Sequence, residues 1–278
     1  MIYLFNHCHN GDIHFSREFA RDCKQQLADV AYLHHCSNDI LHDLDIKQIP
    51  LSTKPELDLH RPIIQHGDDL YINTWIGTGG RSFMGYCDLN TNYAFWHKLV
   101  QMANLNIKMR SKIAYIPQID FSRFEIDNIN KYRFDTWRKC VLICNNDCCS
   151  DQAVNIDWTP LISKLATMFK STAFFVTNNN KVLSDNVIDV SHLVGKTGCN
   201  LMEIAYLATK CNIIVGKGSG PFCVASNTTT LLDAAKTFIV CGKVIKDVAW
   251  YIDRPGGMLH AGDGGDLAMI FGCILGVL

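Results

Sequence analysis

Five short apolar runs in the second half of the chain limit its fold more than any other feature. They are Cys140–Cys144, Thr172–Thr177, Val187–Val190, Asn212–Gly216 and Thr237–Cys241, rich in Val, Ile and Phe. Runs this short, apolar at successive positions, fit strands buried on both faces, as in a parallel sheet. Parallel strands need crossovers, and helices fit between several of the runs. One helix starts near Trp158 and Pro160, since proline suits a first helical turn. It places Leu161, Ile162, Leu165, Met168 and Phe169 on one face. Another starts at Asn200, an N-cap residue with Glu203 three residues on, and buries Leu201, Ile204, Ala205 and Ala208. Strands and helices alternating in this way predict a doubly wound α/β unit.

The first half follows the same plan less regularly. Ile2–Phe5, Val30–His34 and Leu70–Ile76 read as strands. Asp12 to about Leu27 and Asn92–Leu105 read as helices, the first with Phe15, Phe19 and Cys23 on one face. Residues 36–66 are polar and broken by Pro50, Pro55 and Pro62, and are expected to be mostly loop. Residues 117–136 read as a connection, which gives two domains, 1–130 and 131–278. With 278 residues, 48% of them hydrophobic and 19% charged, the chain can bury a core in each.

Charge and composition exclude several classes. The formal net charge is −1, without the basic excess that phosphate-neutralising proteins carry, so no nucleic-acid partner is expected. The apolar run Leu267–Leu278 is shorter than the roughly 20 residues a membrane helix needs. No secretion signal is read at the start, so the expected location is cytoplasmic. The 13 cysteines are odd in number and many lie in apolar stretches, where a thiol behaves as a small hydrophobe. Cys140, Cys144, Cys148 and Cys149 lack the paired spacing of a structural zinc site.

Two segments carry candidate chemistry. Val215–Phe222 (VGKGSGPF) follows an apolar strand. Gly216, Gly218 and Gly220 would let the backbone approach a ligand, Lys217 and Ser219 add a cation and a hydroxyl, and Pro221 can open a helix. Such a loop suits an anion, typically a diphosphate; the alternative is a tight strand-to-helix turn without a ligand. A P-loop is excluded, because Val190 stands where Gly195-Lys196-Thr197 would need its upstream glycine. A dinucleotide fingerprint is excluded, because the first strand is followed by HCHNGD. The second segment, Asn6–Phe15, crowds His7, His9, Asp12 and His14 into the turn after the first strand. Asp12 there is either a catalytic carboxylate or only a helix cap. Asn145 and Asn146 end the first strand of the second half. Trp75, Gly79 and Arg81 end a strand of the first half, where an aromatic face suits a sugar ring.

Residues 191–226, SHLVGKTGCNLMEIAYLATKCNIIVGKGSGPFCVAS, resemble the nucleotide-sugar half of GT-B glycosyltransferases. The nearest pattern is that of the heptosyltransferase-like family 9; GDIHF resembles its Gly-Asp-[Val/Ile]-x-His turn, and DWTPLISKL its Trp-Pro pattern before a helix. Gly218 replaces that family's acidic residue, and Phe222-Cys223 replaces its histidine, so the resemblance is to the superfamily, which includes fucosyltransferase and exostosin-like enzymes. It implies two Rossmann-like domains facing across a cleft, the first binding a glycan or other hydroxyl acceptor and the second a nucleotide diphospho-sugar. The last helix would pack back on the first domain. It also implies an inverting transferase with Asp12 as general base and His9 second, and with the diphosphate over Gly216–Gly220. Lys217 or Lys196 would stabilise the leaving group, Glu203 would hold ribose, and Asn145 and Asn146 would line the same cleft. Trp75, Gly79 and Arg81 would contact the acceptor. No metal or other cofactor is implied, and UDP is the donor nucleotide expected from frequency alone. The alternatives are a sugar-nucleotide epimerase of the same fold and a phosphate-binding α/β protein without chemistry.

Overall fold

A computed structural model describes residues 1–36, 38–54, 56–79, 88–149, 153–178, 182–194, 200–243 and 255–278. The chain forms two compact units, Met1–Asp120 and Phe121–Leu278, against a division expected at 130/131.

In the first unit, β1 (Ile2–Phe5) lies at the centre of a sheet with β2 (Val30–His34), β3 (Lys47–Pro50), β4 (Ile63–His66) and β5 (Asp69–Asn73), in the order β3-β2-β1-β5-β4. β1 pairs in parallel with both β2 and β5, and β2 with β3; β4 is antiparallel to β5. The expectation of loop over 36–66 therefore fails at β3 and β4. Both are edge strands with at least one exposed residue each, so they lack the apolar run that marks a central strand. Pro50 is tolerated because it ends an edge strand. Gly67, with φ +58°, opens the two-residue turn that joins β4 to β5.

Two helices, α1 (Asn10–Gln26) and α2 (Leu89–Met102), belong to this unit. Asp88 caps α2 by accepting from Asn90 N–H and Thr91 N–H. α1 buries charged residues as well as Phe15, Phe19 and Cys23. Arg17 grips Asp43 at 2.6 and 2.8 Å, Arg110 donates to Asp22 and Glu18, and Tyr115 donates to Asp22. Buried charge is tolerable only when paired in this way, so the network ties α1 to residues 110–118 in one arrangement.

The second unit holds β6 (Lys139–Cys144), β7 (Thr172–Val176), β8 (Val187–Asp189), β9 (Ile213–Lys217), β10 (Thr237–Cys241) and β11 (Gly257–His260). All pair in parallel, in the order β8-β7-β6-β9-β10-β11. This is the dinucleotide-binding order, in which the chain winds one way from the first strand and then the other. β11 is a half-exposed edge strand that no apolar run announces.

The helices of this unit are α3 (Asp127–Lys131), α4 (Thr159–Met168), α5 (Val190–Val194), α6 (Leu201–Lys210), α7 (Gly220–Ala225), α8 (Thr228–Leu231) and α9 (Leu267–Leu275). α4 has its proline in the first turn and buries Leu161, Ile162, Leu165 and Ala166, whereas Met168 points to solvent at 51% exposure. α6 starts after Asn200 and buries the four residues expected of it. α9 inserts Ile270 and Ile274 into the core shared by α4, β6 and β10. These contacts lie within its own unit.

Candidate active site

In an open α/β sheet, a ligand crevice forms at the carboxyl ends of the two strands between which the winding reverses. The first unit has this point between β1 and β5, the second between β6 and β9.

β1 runs directly into Asn6. Asn6 Nδ2 donates to Thr74 Oγ1 at 3.2 Å, the Thr74 and Tyr32 hydroxyls bond at 2.7 Å, and Tyr32 bonds Ser16 at 2.6 Å. Ser16 Oγ then donates to the Ile13 carbonyl. All four side chains are buried, and burial pushes the Tyr32 pKa up. Parallel pairing of β1 with β2 and β5 is what brings these residues into one chain of hydroxyls.

Above this floor is a small pocket lined by Asp12, Phe15, Thr74, Trp75 and Trp96, among others. Asp12 is the third residue of α1, and its Oδ2 accepts from His9 N–H at 3.2 Å, so it does cap the helix. It also faces the pocket, where burial pushes its carboxyl up to about 7 against two backbone hydrogen bonds that pull the other way. Asp12 thus both caps the helix and lines the pocket. His9 is the exposed N-cap residue and does not line the pocket. His7 packs edge-on to the Trp75 ring at 4.7 Å, and its Nδ1 is buried without a partner. His14 is fully buried on α1.

Trp75 is half-buried at the pocket, and a side chain at Gly77 would overlap its indole. That glycine therefore serves the tryptophan. Gly79 ends the 3₁₀ turn Ile76–Gly79, and Arg81 lies outside the described residues. Sequence reasoning missed Asn6, Thr74, Ser16, Tyr32 and Trp96. Asn6 could have been found as the first residue after a strand; the others have no local signal. The Trp96 ring is stacked between Phe19 and Tyr115, and its Nε1 is buried without a partner.

At the other switch point, Cys144 pairs with Gly216, which sets Asn145 and Asn146 beside Lys217 and Gly218. Asn145 is spent on structure: its Nδ2 donates to the Asn178 carbonyl and its Oδ1 accepts from Asn178 N–H, clamping the ends of β6 and β7. Asn146 Oδ1 is buried with no partner. Ser219 takes the N-cap backbone shape of α7, yet its hydroxyl does not cap the helix and is buried with no partner.

Two expectations for this loop need correction. A Cβ at Gly216 would lie 2.6 Å from the Phe222 ring and 2.8 Å from the Cys144 Cβ. Glycine at 216 is therefore required by protein packing, without any ligand. Lys217 is fully buried: its Nζ donates to Asn155 Oδ1 at 2.8 Å and lies 3.8 Å from the Asp147 carboxylate. Burial lowers its pKa, offset in part by Asp147. Gly218 is half-buried with its carbonyl accepting from Cys148 Sγ, and Gly220 opens α7. Glu203 is buried in the first turn of α6, and Lys196 lies outside the described residues.

No family model matches the chain, and no curated protein matches its sequence. Solved structures do match, over nearly the whole length. An Escherichia coli heptosyltransferase, WaaC, with ADP aligns at a TM-score of 0.51 and 11% identity, over 100% of this chain and 98% of that one. The E. coli ADP-heptose lipopolysaccharide heptosyltransferase II aligns at 0.51 and 10%, over 100% and 98%. A glycosyl transferase family 9 protein from Veillonella parvula aligns at 0.51 and 9%, over 99% and 90%. The fold is GT-B. At these identities the likeness speaks for architecture alone, and the GT-B frame explains why the chain has a switch point in each unit. Among the described residues no three His, Cys, Asp or Glu side chains converge as a metal site needs, and no helix is long and apolar enough to cross a membrane.

Proposed function

We propose that this protein is a glycosyltransferase that moves a sugar from a nucleotide diphospho-sugar to a hydroxyl of a glycan or other acceptor. The observation that carries the reading is Asp12: a carboxyl at the first unit's switch point, lining a pocket, with its acidity moved to about 7 within a GT-B fold. A general base works best when its pKa lies near the working pH. Asp12 takes the proton of an acceptor hydroxyl as that oxygen attacks the anomeric carbon. The bond from that carbon to the diphosphate breaks, the anomeric configuration inverts, and the nucleoside diphosphate leaves. The acceptor sits in the first unit against Trp75, with Gly79 and Arg81 as further contacts, and His9 stands behind Asp12 as the second candidate base.

The donor sits at the β6/β9 switch point. Ser219 Oγ, which has no partner among the described residues, donates to a phosphate oxygen, and Asn146 Oδ1 accepts from a sugar or ribose hydroxyl. Backbone N–H groups at Gly218–Gly220 and the buried charge of Lys217 oppose the negative charge that develops on the leaving group. Lys196 adds a second cation and Glu203 a ribose contact. With the charge met by the protein, no metal is required. UDP is the frequent nucleotide among such enzymes; since two of the similar structures carry ADP or ADP-heptose in their names, ADP belongs beside it.

The test is incubation with ADP-, UDP- and GDP-sugars, following release of free nucleoside diphosphate. The expected result is slow hydrolysis of one donor, lost in Asp12→Asn. An isomerised sugar still joined to its nucleotide would make the protein an epimerase. Failure of every nucleotide to bind would overturn the proposal.

A further inference from the structure

Cys8 and Cys36 follow the ends of two neighbouring parallel strands, β1 and β2. Phe5 pairs with Leu33 at the end of the β1/β2 ladder, and Asn6 N–H still donates to the Leu33 carbonyl at 3.1 Å. Cys8 lies three residues beyond the end of β1 and Cys36 two residues beyond the end of β2, so both stand in the turns that leave this edge of the sheet. One contact brings the two residues together: Cys36 Sγ donates to the Cys8 carbonyl oxygen at 3.6 Å. A carbonyl oxygen is about 2.4 Å from its own α-carbon, so the Cys36 sulfur is within about 6 Å of the Cys8 α-carbon. Both are reduced thiols, and both are half-buried, not sealed in a core.

We infer that Cys8 and Cys36 form an oxidation site, closing to a disulfide when the protein meets a peroxide. One thiolate attacks the peroxide, breaking its O–O bond; the sulfur becomes a sulfenic acid and the other oxygen leaves as water. The second thiolate then attacks that sulfur and expels its hydroxyl as a second water. Two thiols and one hydrogen peroxide thus give one disulfide and two waters. Burial pushes the Cys8 thiol up to about 12, with the charges of Asp12 and Cys36 adding to the effect. The pair therefore holds little thiolate at neutral pH and closes faster in alkaline solution.

The bridge would tether the end of β2 to the β1–α1 turn, four residues before Asp12. Its effect on turnover rests on the proposed function, while the bridge itself does not. The experiment is treatment of the intact protein with hydrogen peroxide at pH 8, blocking of remaining thiols, and peptide mass spectrometry without reduction. The expected result is a linked pair of peptides holding Cys8 and Cys36, lighter by two hydrogens, absent in Cys8→Ser and in Cys36→Ser and reversed by dithiothreitol. Cys8 and Cys36 both recovered as blocked thiols or as over-oxidised acids, or Cys8 linked elsewhere, would overturn the inference. If the linked pair forms while donor hydrolysis is absent throughout, the oxidation site stands and the transferase reading alone fails.

Discussion

The two switch points are built by opposite means. In the first unit the floor of the site is a filled hydrogen-bond system: Asn6, Thr74, Tyr32 and Ser16 satisfy one another and hold the β1–α1 turn. Asp12 sits on that floor with its acidity displaced to about 7. In the second unit two polar groups near the crevice, Ser219 Oγ and Asn146 Oδ1, are buried and have no partner among the described residues. A buried polar atom left unpaired costs about 1–3 kcal/mol, so a ligand that pairs it recovers that cost. Under the proposed function the contrast would separate the tasks: a proton-transfer site needs one group held still, whereas a binding site needs groups kept vacant.

Four measurements can break or sharpen this contrast. The largest effect belongs to Asp12→Asn, which keeps the cap oxygen and removes the proton acceptor. Turnover should fall by about 10² to 10⁴ while donor affinity is unchanged. Parental turnover should rise with pH through about 7 as the carboxyl ionises. Stability should respond in the opposite sense. The folded pKa is above the unfolded value, so Asp12 favours the native state below the unfolded pKa, and that contribution is lost as pH rises to about 7. Parental denaturation should show this slope between pH 4 and 7, and Asp12→Asn should lack it. Near-parental turnover in the variant would leave Asp12 as a cap alone.

Next comes Gly216→Ala. Its Cβ would press on Phe222 and Cys144, so chemical denaturation should show a loss of about 1–3 kcal/mol. An unchanged midpoint would mean that the loop can shift, and that glycine is there for a ligand after all. Ser219→Ala should weaken nucleoside diphosphate binding by about fivefold to tenfold, the worth of roughly 1 kcal/mol, with no loss of stability because no protein group pairs with the hydroxyl. A loss of stability without loss of affinity would reverse the assignment. The smallest effect expected is that of EDTA. Turnover should be unchanged; abolition by EDTA and recovery with manganese would replace protein charge by a metal at the diphosphate.

Much of the second unit was legible because buried parallel strands and their helices carry strong local patterns. The apolar runs at β6, β7, β9 and β10 and the Asn200 start of α6 were read nearly to the residue. The edge strands β3, β4 and β11 were not, since each has a solvated side and no apolar run. Of the candidate residues, Asp12 was legible from its place after a strand. Lys217 was read as a cation of the glycine loop, but its burial was not legible, because it comes from residues near 147 and 155 that no local pattern ties to it.

By itself, then, the sequence determined which segments are strands and helices, which faces are apolar, and which turn holds the carboxylate. These follow from periodicity, capping and proline placement, all of which act within a few residues. The tertiary structure alone decided the strand order, and with it the two switch points, the hydroxyl chain beneath Asp12, the stacking of Trp96, and the meeting of Cys8 with Cys36. A strand's pattern states that it must be covered on both faces but not which strand lies beside it, and that choice is made only when the whole sheet packs.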